Sequence, residues 1–511
     1  MTDEILTSRQ ARRWLLGAVS LAAAVRGYLL WQYYCISLDG VLYIRAAQDF
    51  FRGDVAAGLK SVYPPGYPVL IALVYPVIGN WELAGQLISL ILGIAILLPL
   101  YGLFRGAFDD ARISLAVCYL AAVSPFLALY SVHVRSEVAY LFLAALALYL
   151  FLTGSQWRSR TRFFCGGMAA GYAFLYRPEA LGFLVIVPAV GLLQWFRQRE
   201  SGLSWLSRSS ALLFAGFLLF ALPYIVYLSI DTGRFGAVSR KAGVTLGLNL
   251  QKAGILDDAD LAQFGSAESV IFSDYIRQHP WRYAKKVASD VFPAIGVFFA
   301  ALHYSYVPFL LVGLYLVGRE KFLDRRDLLL LAFAAAHVFG FALILVKRRY
   351  ALQAVPISLA WVAIGGVWVW NELHARLSAP RARMIGVALL AVFVAGTLPK
   401  TLQAVSREKA FVRETGWYLK SLDRIGGLRV AVLDERVTFY AGSQTVRLTD
   451  VEAANVGAYL REQKSDYLAV EAKSLTKAFP ELAKQPGKFG LVLEKTFTGS
   501  RKDRMLLFKV T

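Results

Sequence analysis

Apolar residues come in long blocks, and the blocks are separated by short polar junctions. A helix needs about twenty apolar residues to cross the hydrocarbon core of a bilayer. Eleven stretches qualify as candidate spans: Trp14–Tyr34, Trp81–Phe104, Ile113–Tyr130, Val138–Leu152, Phe163–Tyr176, Ala180–Phe196, Ala211–Ile230, Val291–Val317, Leu328–Val346, Ala351–Trp370 and Met384–Leu402. One further apolar stretch, PPGYPVLIALVYPVIG (Pro64–Gly79), is short and holds four prolines. Counting it as a crossing would invert every later loop, so it reads as a helix lying in or dipping into the outer interface. Its neighbour Val41–Arg52 carries Arg45, Gln48, Asp49 and Arg52 at helical spacing on one face, the pattern of a helix in the membrane surface.

Beyond Thr401 the pattern changes. Arg429–Leu433, Thr445–Leu448, Tyr467–Val470, Leu491–Glu494 and Met505–Val510 read as short strands, while Arg407–Leu422 and Val451–Glu462 read as amphipathic helices. The expected organisation is a membrane domain, residues 1–402, followed by a small soluble α/β domain, residues 403–511. Within the first, residues 35–80 form an outer loop with interfacial helices, and residues 231–290, too polar to cross, form a second.

Composition agrees with a membrane protein. Of 511 residues, 57% are hydrophobic and only 18% charged, too few charges for a soluble chain of this length. The net charge of +20 could suggest nucleic acid, but the cations cluster in short loops and no nucleic-acid motif accompanies them. Cys35, Cys118 and Cys165 lie in separate apolar segments without metal-ligand spacing. The first apolar run has no small-residue cleavage site and reads as a retained helix.

The cations also set the topology. With the N-terminus in the cytoplasm, every second junction is basic: Arg105 and Arg112; Arg158, Arg160 and Arg162; Arg197, Arg199 and Arg208; Arg319, Lys321, Arg325 and Arg326; Arg376, Arg381 and Arg383. An odd number of spans puts the C-terminal domain outside, in the periplasm of a bacterial inner membrane protein.

Polar residues on the outer side are the candidates for chemistry. Asp39 follows the first span directly, placed to take a proton from an acceptor hydroxyl or to cap the helix starting at Gly40. His133, Arg135 and Glu137 crowd five positions at the outer membrane edge, where desolvation costs several kcal/mol per group unless they pair. Arg177 and Glu179 mark a third spot. Lys347, Arg348, Arg349 and Tyr350 form a basic cluster on the outer side, against the positive-inside rule, and a lipid phosphate is the natural anion for it. Arg26 lies mid-span, where a bare charge costs roughly 2.5–3.5 kcal/mol on insertion scales. It is expected to pair within the bundle in a structural role. No Walker A loop, HExxH or GxSxG occurs, so an outer-face enzyme needs a pre-activated, membrane-borne substrate.

In order and spacing, these marks resemble the GT-C membrane glycosyltransferases. The closest groups are the protein O-mannosyltransferases and the lipid A and lipopolysaccharide sugar transferases, of the family 39 and 83 type. The resemblance rests on Asp39 with Tyr43, YPPGYP (Tyr63–Pro68), HVRSE (His133–Glu137), YRPEAL (Tyr176–Leu181), RQHPWRY (Arg277–Tyr283) and RRYALQAVP (Arg348–Pro356). It implies a mainly α, polytopic fold of about eleven transmembrane helices, and a hexosyl- or pentosyltransferase acting on a polyprenyl-phosphate sugar. The acceptor would be a lipid, glycan or protein on the non-cytoplasmic face. It implies catalytic roles for Asp39, Glu137 and His133, and donor-phosphate binding by Tyr63, Arg177, Arg348, Arg349 and Tyr350. Tyr43, Arg135 and Glu179 would support them. Gly40 stands where many relatives carry a second acidic residue. No metal ligand set is implied and no cofactor is required, although the scheme is compatible with a divalent metal. The rival reading is a transporter or flippase for a polyprenyl-linked or other anionic substrate. That reading calls for ionisable groups near the midplane and for repeated halves; few of the former and no repeat are visible.

The topology is tested by reporter fusions after Lys400, which should report an exterior tail; a cytoplasmic signal would overturn the assignment of outer-face residues.

Overall fold

Lipid offers no partner to backbone N–H and C=O groups, so an apolar run can cross only as a helix that satisfies its own backbone. The computed structural model describes residues 8–198, 202–240, 276–319, 327–423, 426–448, 451, 455–499 and 503–511, and is mainly helical. The chain divides into two compact units. The first comprises Met1–Tyr28, Ala46–Gly79 and Leu83–Leu402; the second comprises Leu29–Arg45, Asn80–Glu82 and Gln403–Thr511.

Among the described residues, seven helices are long and apolar enough to cross a membrane: Ser8–Trp31, Trp81–Phe108, Glu137–Gln156, Pro178–Phe196, Leu203–Thr232, Arg348–Arg376 and Ala379–Thr401. An eighth span results if Pro280–Leu302 and Tyr304–Arg319, bent by 93° at His303, count as one. The protein is therefore a multi-pass membrane protein. All eleven expected spans fall on helices, but several of these are too short to qualify. Ala111–Val123 stops at Ser124 because Pro125 has no N–H to continue it. Arg160–Phe174 has only 15 residues, and Leu328–Phe339 passes into a 3₁₀ turn, Gly340–Leu343. The expected single span Val291–Val317 is the bent pair. The proline-rich stretch forms a helix, Gly66–Ile78, closed by Gly79 in the left-handed conformation. Of the outer loop 231–290, residues 241–275 lie outside the described residues, and Pro280 already opens the helix that continues to Leu302.

The premature end at Val123 would strand the last carbonyls of that helix. Side chains from three other helices take them. The Tyr306 hydroxyl donates to Leu120 O at 3.3 Å, Arg26 donates to Ala121 O at 3.4 Å and Ala122 O at 3.1 Å, and the Thr401 hydroxyl donates to Val123 O at 2.7 Å. Arg26 also donates through Nε to Ser131 Oγ at 3.1 Å, and it is 1% exposed. The mid-span cation thus does pair within the bundle, mostly with backbone.

Close helix packing relies on missing side chains. A Cβ on Gly167 or Gly171 would lie 2.3 or 2.2 Å from the carbonyl oxygens of Leu213 and Phe217. The small-xxx-small spacing lets Arg160–Phe174 pack backbone against Leu203–Thr232.

In the second unit, five strands form one sheet in the order β2-β1-β3-β5-β4: β1 Arg429–Val432, β2 Gln444–Arg447, β3 Tyr467–Glu471, β4 Leu491–Thr498 and β5 Arg504–Val510. β1 pairs with β2 and β3 in parallel, whereas β5 pairs with β3 and β4 antiparallel. The expected helices appear as Ala410–Leu422 and Val456–Glu462; residues 452–454 of the second lie outside the described residues. Val446, Leu468, Val470, Leu475 and Phe508 are among the buried core.

Replacing Arg26 with Met should strand two buried carbonyls, each worth about 1–3 kcal/mol. We expect a stability loss of about 2–4 kcal/mol in detergent unfolding, partly recovered by Arg26→Lys; an unchanged midpoint would contradict the capping role.

Candidate active site

Within the first unit, motifs far apart in sequence meet. Gly66 of YPPGYP donates its N–H to Leu175 O at 2.8 Å, just ahead of YRPEAL. A Cβ at Gly66 would lie 2.7 Å from the same oxygen, so only glycine allows this approach. Tyr67, fully buried, donates to Gly85 O at 2.8 Å and accepts from the Ser89 hydroxyl at 2.6 Å and from the Arg135 N–H at 3.1 Å. YPPGYP is thereby fixed to HVRSE as well. Tyr63 is buried, and its N–H donates to Ser61 Oγ at 3.2 Å.

The centre of this meeting point is Arg177. It is 8% exposed and lies 3.2 Å from Glu137 and 2.8 Å from Glu179. Gln353 donates to the same Glu179 oxygen at 3.3 Å, which brings RRYALQ into the network. Arg177 also sits over the Tyr350 ring at 5.3 Å. The second Glu179 oxygen and the Gln353 oxygen are buried without a hydrogen-bond partner among the described residues. Buried acceptors of this kind call for a donor, as a hydroxyl-bearing ligand or water would supply.

The basic cluster follows the broken helix Leu328–Leu343. Lys347 is extended, and Arg348–Ala351 forms one helical turn. Arg349 donates to the Tyr350 hydroxyl at 2.9 Å; Arg348 is exposed and lies 5.1 Å from the Phe126 ring. Tyr350 itself is buried and stacked on Phe341 at 4.8 Å. His133 is buried with its ring 6.0 Å from that of Tyr130, and Arg135 covers the same tyrosine at 5.7 Å.

Asp39 and Tyr43 belong to the second unit. The helix there spans Leu38–Phe51, and Ser37 Oγ accepts the Gly40 N–H at 3.1 Å. Ser37 is therefore the cap, and Asp39 is not needed for it. The Asp39 carboxylate is half-buried in the first turn, where the helix dipole favours a negative charge. Tyr43, one turn on, is buried. The approach to this helix is tied to the C-terminal part of the unit. Tyr440 OH accepts the Ile36 N–H at 2.7 Å and donates to Glu82 at 2.9 Å. Burial, then the Glu82 carboxylate, push the Tyr440 phenol well above its ordinary range, so it stays a donor. Arg413 donates to Tyr33 O at 3.0 Å, and Arg45 pairs with Glu435.

The sequence-based reading missed Tyr67, Gln353 and Tyr440. Gln353 stands in the same short run as Arg349 and could have been found there; Tyr440, 404 residues from Ile36, carried no signal. No group of three His, Cys, Asp or Glu side chains placed to hold a metal occurs among the described residues.

Residues 62–227, which include YPPGYP, HVRSE and YRPEAL, match the model of the dolichyl-phosphate-mannose-protein mannosyltransferase family. No curated protein sequence is matched. Among solved structures, the chain is similar to the Archaeoglobus fulgidus oligosaccharyltransferase in complex with zinc and sulfate, with TM-score 0.61 and 14% identity over 96% of this chain and 72% of that one. It is also similar to ArnT from Cupriavidus metallidurans bound to undecaprenyl phosphate, with TM-score 0.57 and 15% identity over 97% of each chain. At such identities the likeness is one of fold.

Removing Arg177 would leave Glu137 and Glu179 facing each other without their cation. Arg177→Ala should cost about 3–5 kcal/mol of stability, the usual loss on breaking a buried pair. Arg177→Lys should recover only part, because an ammonium cannot fork between two carboxylates. Thermal unfolding of the three proteins measures both, and an Ala variant as stable as wild type would rule out a buried network.

Proposed function

We propose that this protein, a multi-pass membrane protein of the GT-C glycosyltransferase fold, moves a sugar from a polyprenyl-phosphate donor to a lipid, glycan or protein acceptor on the non-cytoplasmic face. The observation that carries the reading is the Arg177 network. One Arg and two Glu sum to −1, and it adjoins a turn in which Lys347, Arg348 and Arg349 contribute +3. An anion is favoured there, and the buried acceptors on Glu179 and Gln353 suit a partner rich in hydroxyls.

Arg348, Arg349 and Tyr350, with Tyr63 and Arg177, hold the donor phosphate. Glu137 and Glu179 keep Arg177 charged and oriented, so Glu137 serves the phosphate site rather than abstracting a proton. An acceptor hydroxyl attacks the anomeric carbon as the bond to the phosphate oxygen breaks. Asp39 takes the hydroxyl proton, and the polyprenyl phosphate leaves with the bonding electrons, its growing charge met by the arginines. A single displacement inverts the anomeric centre. His133 shares the catalytic role, and Arg135 and Tyr43 support it. This scheme places residues 1–402 as the catalytic membrane domain and 403–511 as an exterior domain, with the N-terminus cytoplasmic.

Undecaprenyl phosphate is the first probe. Arg349→Ala should weaken its binding about ten- to a hundredfold, as expected for the loss of one charge-assisted hydrogen bond worth about 1.5–3 kcal/mol. Arg376, exposed and paired with Glu372, should tolerate Ala. With a panel of radiolabelled polyprenyl-phosphate sugars, Asp39→Asn should abolish transfer and leave undecaprenyl phosphate binding intact. Donor movement across vesicles without any transfer would favour a flippase instead.

A further inference from the structure

The turn that carries Arg348 and Arg349 follows a helix that ends badly. Leu328–Phe339 tightens into the 3₁₀ turn Gly340–Leu343, which ends at Ile344, and Lys347 just beyond is extended. Three successive carbonyls at that exit, on Ala342, Leu343 and Ile344, face the loss of their helical partners. All three are taken by two side chains of one other helix, Pro280–Leu302. Lys286 Nζ donates to Ala342 O at 2.7 Å and to Ile344 O at 3.1 Å, and Tyr283 OH donates to Leu343 O at 3.0 Å. The i, i+3 spacing of Tyr283 and Lys286 puts both on one face of their helix. Lys286 is 5% exposed, and its third proton points to Asp290, 3.2 Å away. An ammonium with all three donors committed, two of them to backbone, is an anchor.

We propose that Lys286 is a positioning residue for the basic turn: it fixes the carbonyls immediately before Lys347 and so sets where Arg348 and Arg349 present their charge. Tyr283 assists it. The assignment rests on the reading of the turn as a donor-phosphate site, but its first consequence, order in the turn, does not. An ammonium that merely added stability would act equally whether or not Arg349 were present. One that acts through the turn should lose its effect on binding when Arg349 is gone.

The experiment uses the full chain in detergent, with Lys286→Met, Lys286→Arg, Arg349→Ala and the Lys286→Met/Arg349→Ala double variant. Amide hydrogen exchange is followed without ligand, and undecaprenyl phosphate binding is measured in parallel. Lys286→Met should speed exchange at least tenfold over residues 342–353, with smaller changes in Glu137–Gln156, and should weaken undecaprenyl phosphate binding about tenfold. Lys286→Arg should restore most of both. In the Arg349→Ala background, Lys286→Met should weaken binding less than threefold. Unchanged exchange over 342–353 would overturn the proposal, as would an equal loss of binding in both backgrounds. Faster exchange in a protein whose wild type does not bind undecaprenyl phosphate would support Lys286 as the anchor of the turn and overturn the phosphate reading instead. If Lys286→Met does not fold, Tyr283→Phe, which removes one hydrogen bond and keeps the ring, should show the same pattern at smaller amplitude.

Discussion

The constraint on which the membrane unit depends is that a carbonyl cut off from its helix at bilayer depth must find another donor. An unsatisfied backbone group there costs several kcal/mol. The chain breaks helices at Ser124 and at Ile344, and in both places polar side chains from elsewhere take the freed carbonyls. Tyr306, Arg26 and Thr401 serve the first break; Tyr283 and Lys286 serve the second. The breaks are also where the candidate chemistry begins. HVRSE lies one short helix beyond the first, and the basic turn follows directly on the second. Irregular backbone at a site and the cations that make it tolerable are one design.

The same logic explains how charge can be buried near the site. Arg177 is held by two carboxylates and an aromatic face, and Glu179 is in turn held by Gln353. Such an arrangement is worth little as net stability, since desolvation consumes most of the attraction. What it supplies is orientation, because a guanidinium fork shared between two carboxylates has few alternative positions.

Much of this was legible in the sequence, for physical reasons that differ from element to element. The strands after Thr401 were readable because short β-rich runs alternate with turn residues, and the observed strands begin within a residue of those expected. Arg26 announced itself as a cation inside an apolar run, but its acceptors did not, because backbone carbonyls leave no mark on residue type. The bend at His303 was hidden in a continuous apolar stretch from Val291 to Val317. Asp39 was weighed against capping at a helix start placed two residues late; the start at Leu38 gives that task to Ser37. Lys286 fell in a segment read as exterior loop, where a lysine excites no suspicion. What the sequence conveys is the cost of a buried charge; what it withholds is which neighbour meets that cost.

Arg26 has a consequence for how the protein is made. It leaves the ribosome well before Ser131, its partner, which comes 105 residues later. For that interval the guanidinium must be accommodated by water or by the insertion machinery, with an insertion penalty of roughly 2.5–3.5 kcal/mol. Until then only Ala22 O of its own helix is within its reach, so the helix should become secure when the segment ending at Ser131 arrives. Biogenesis should show a late, cooperative locking of the amino-terminal helix rather than strict insertion in order of synthesis.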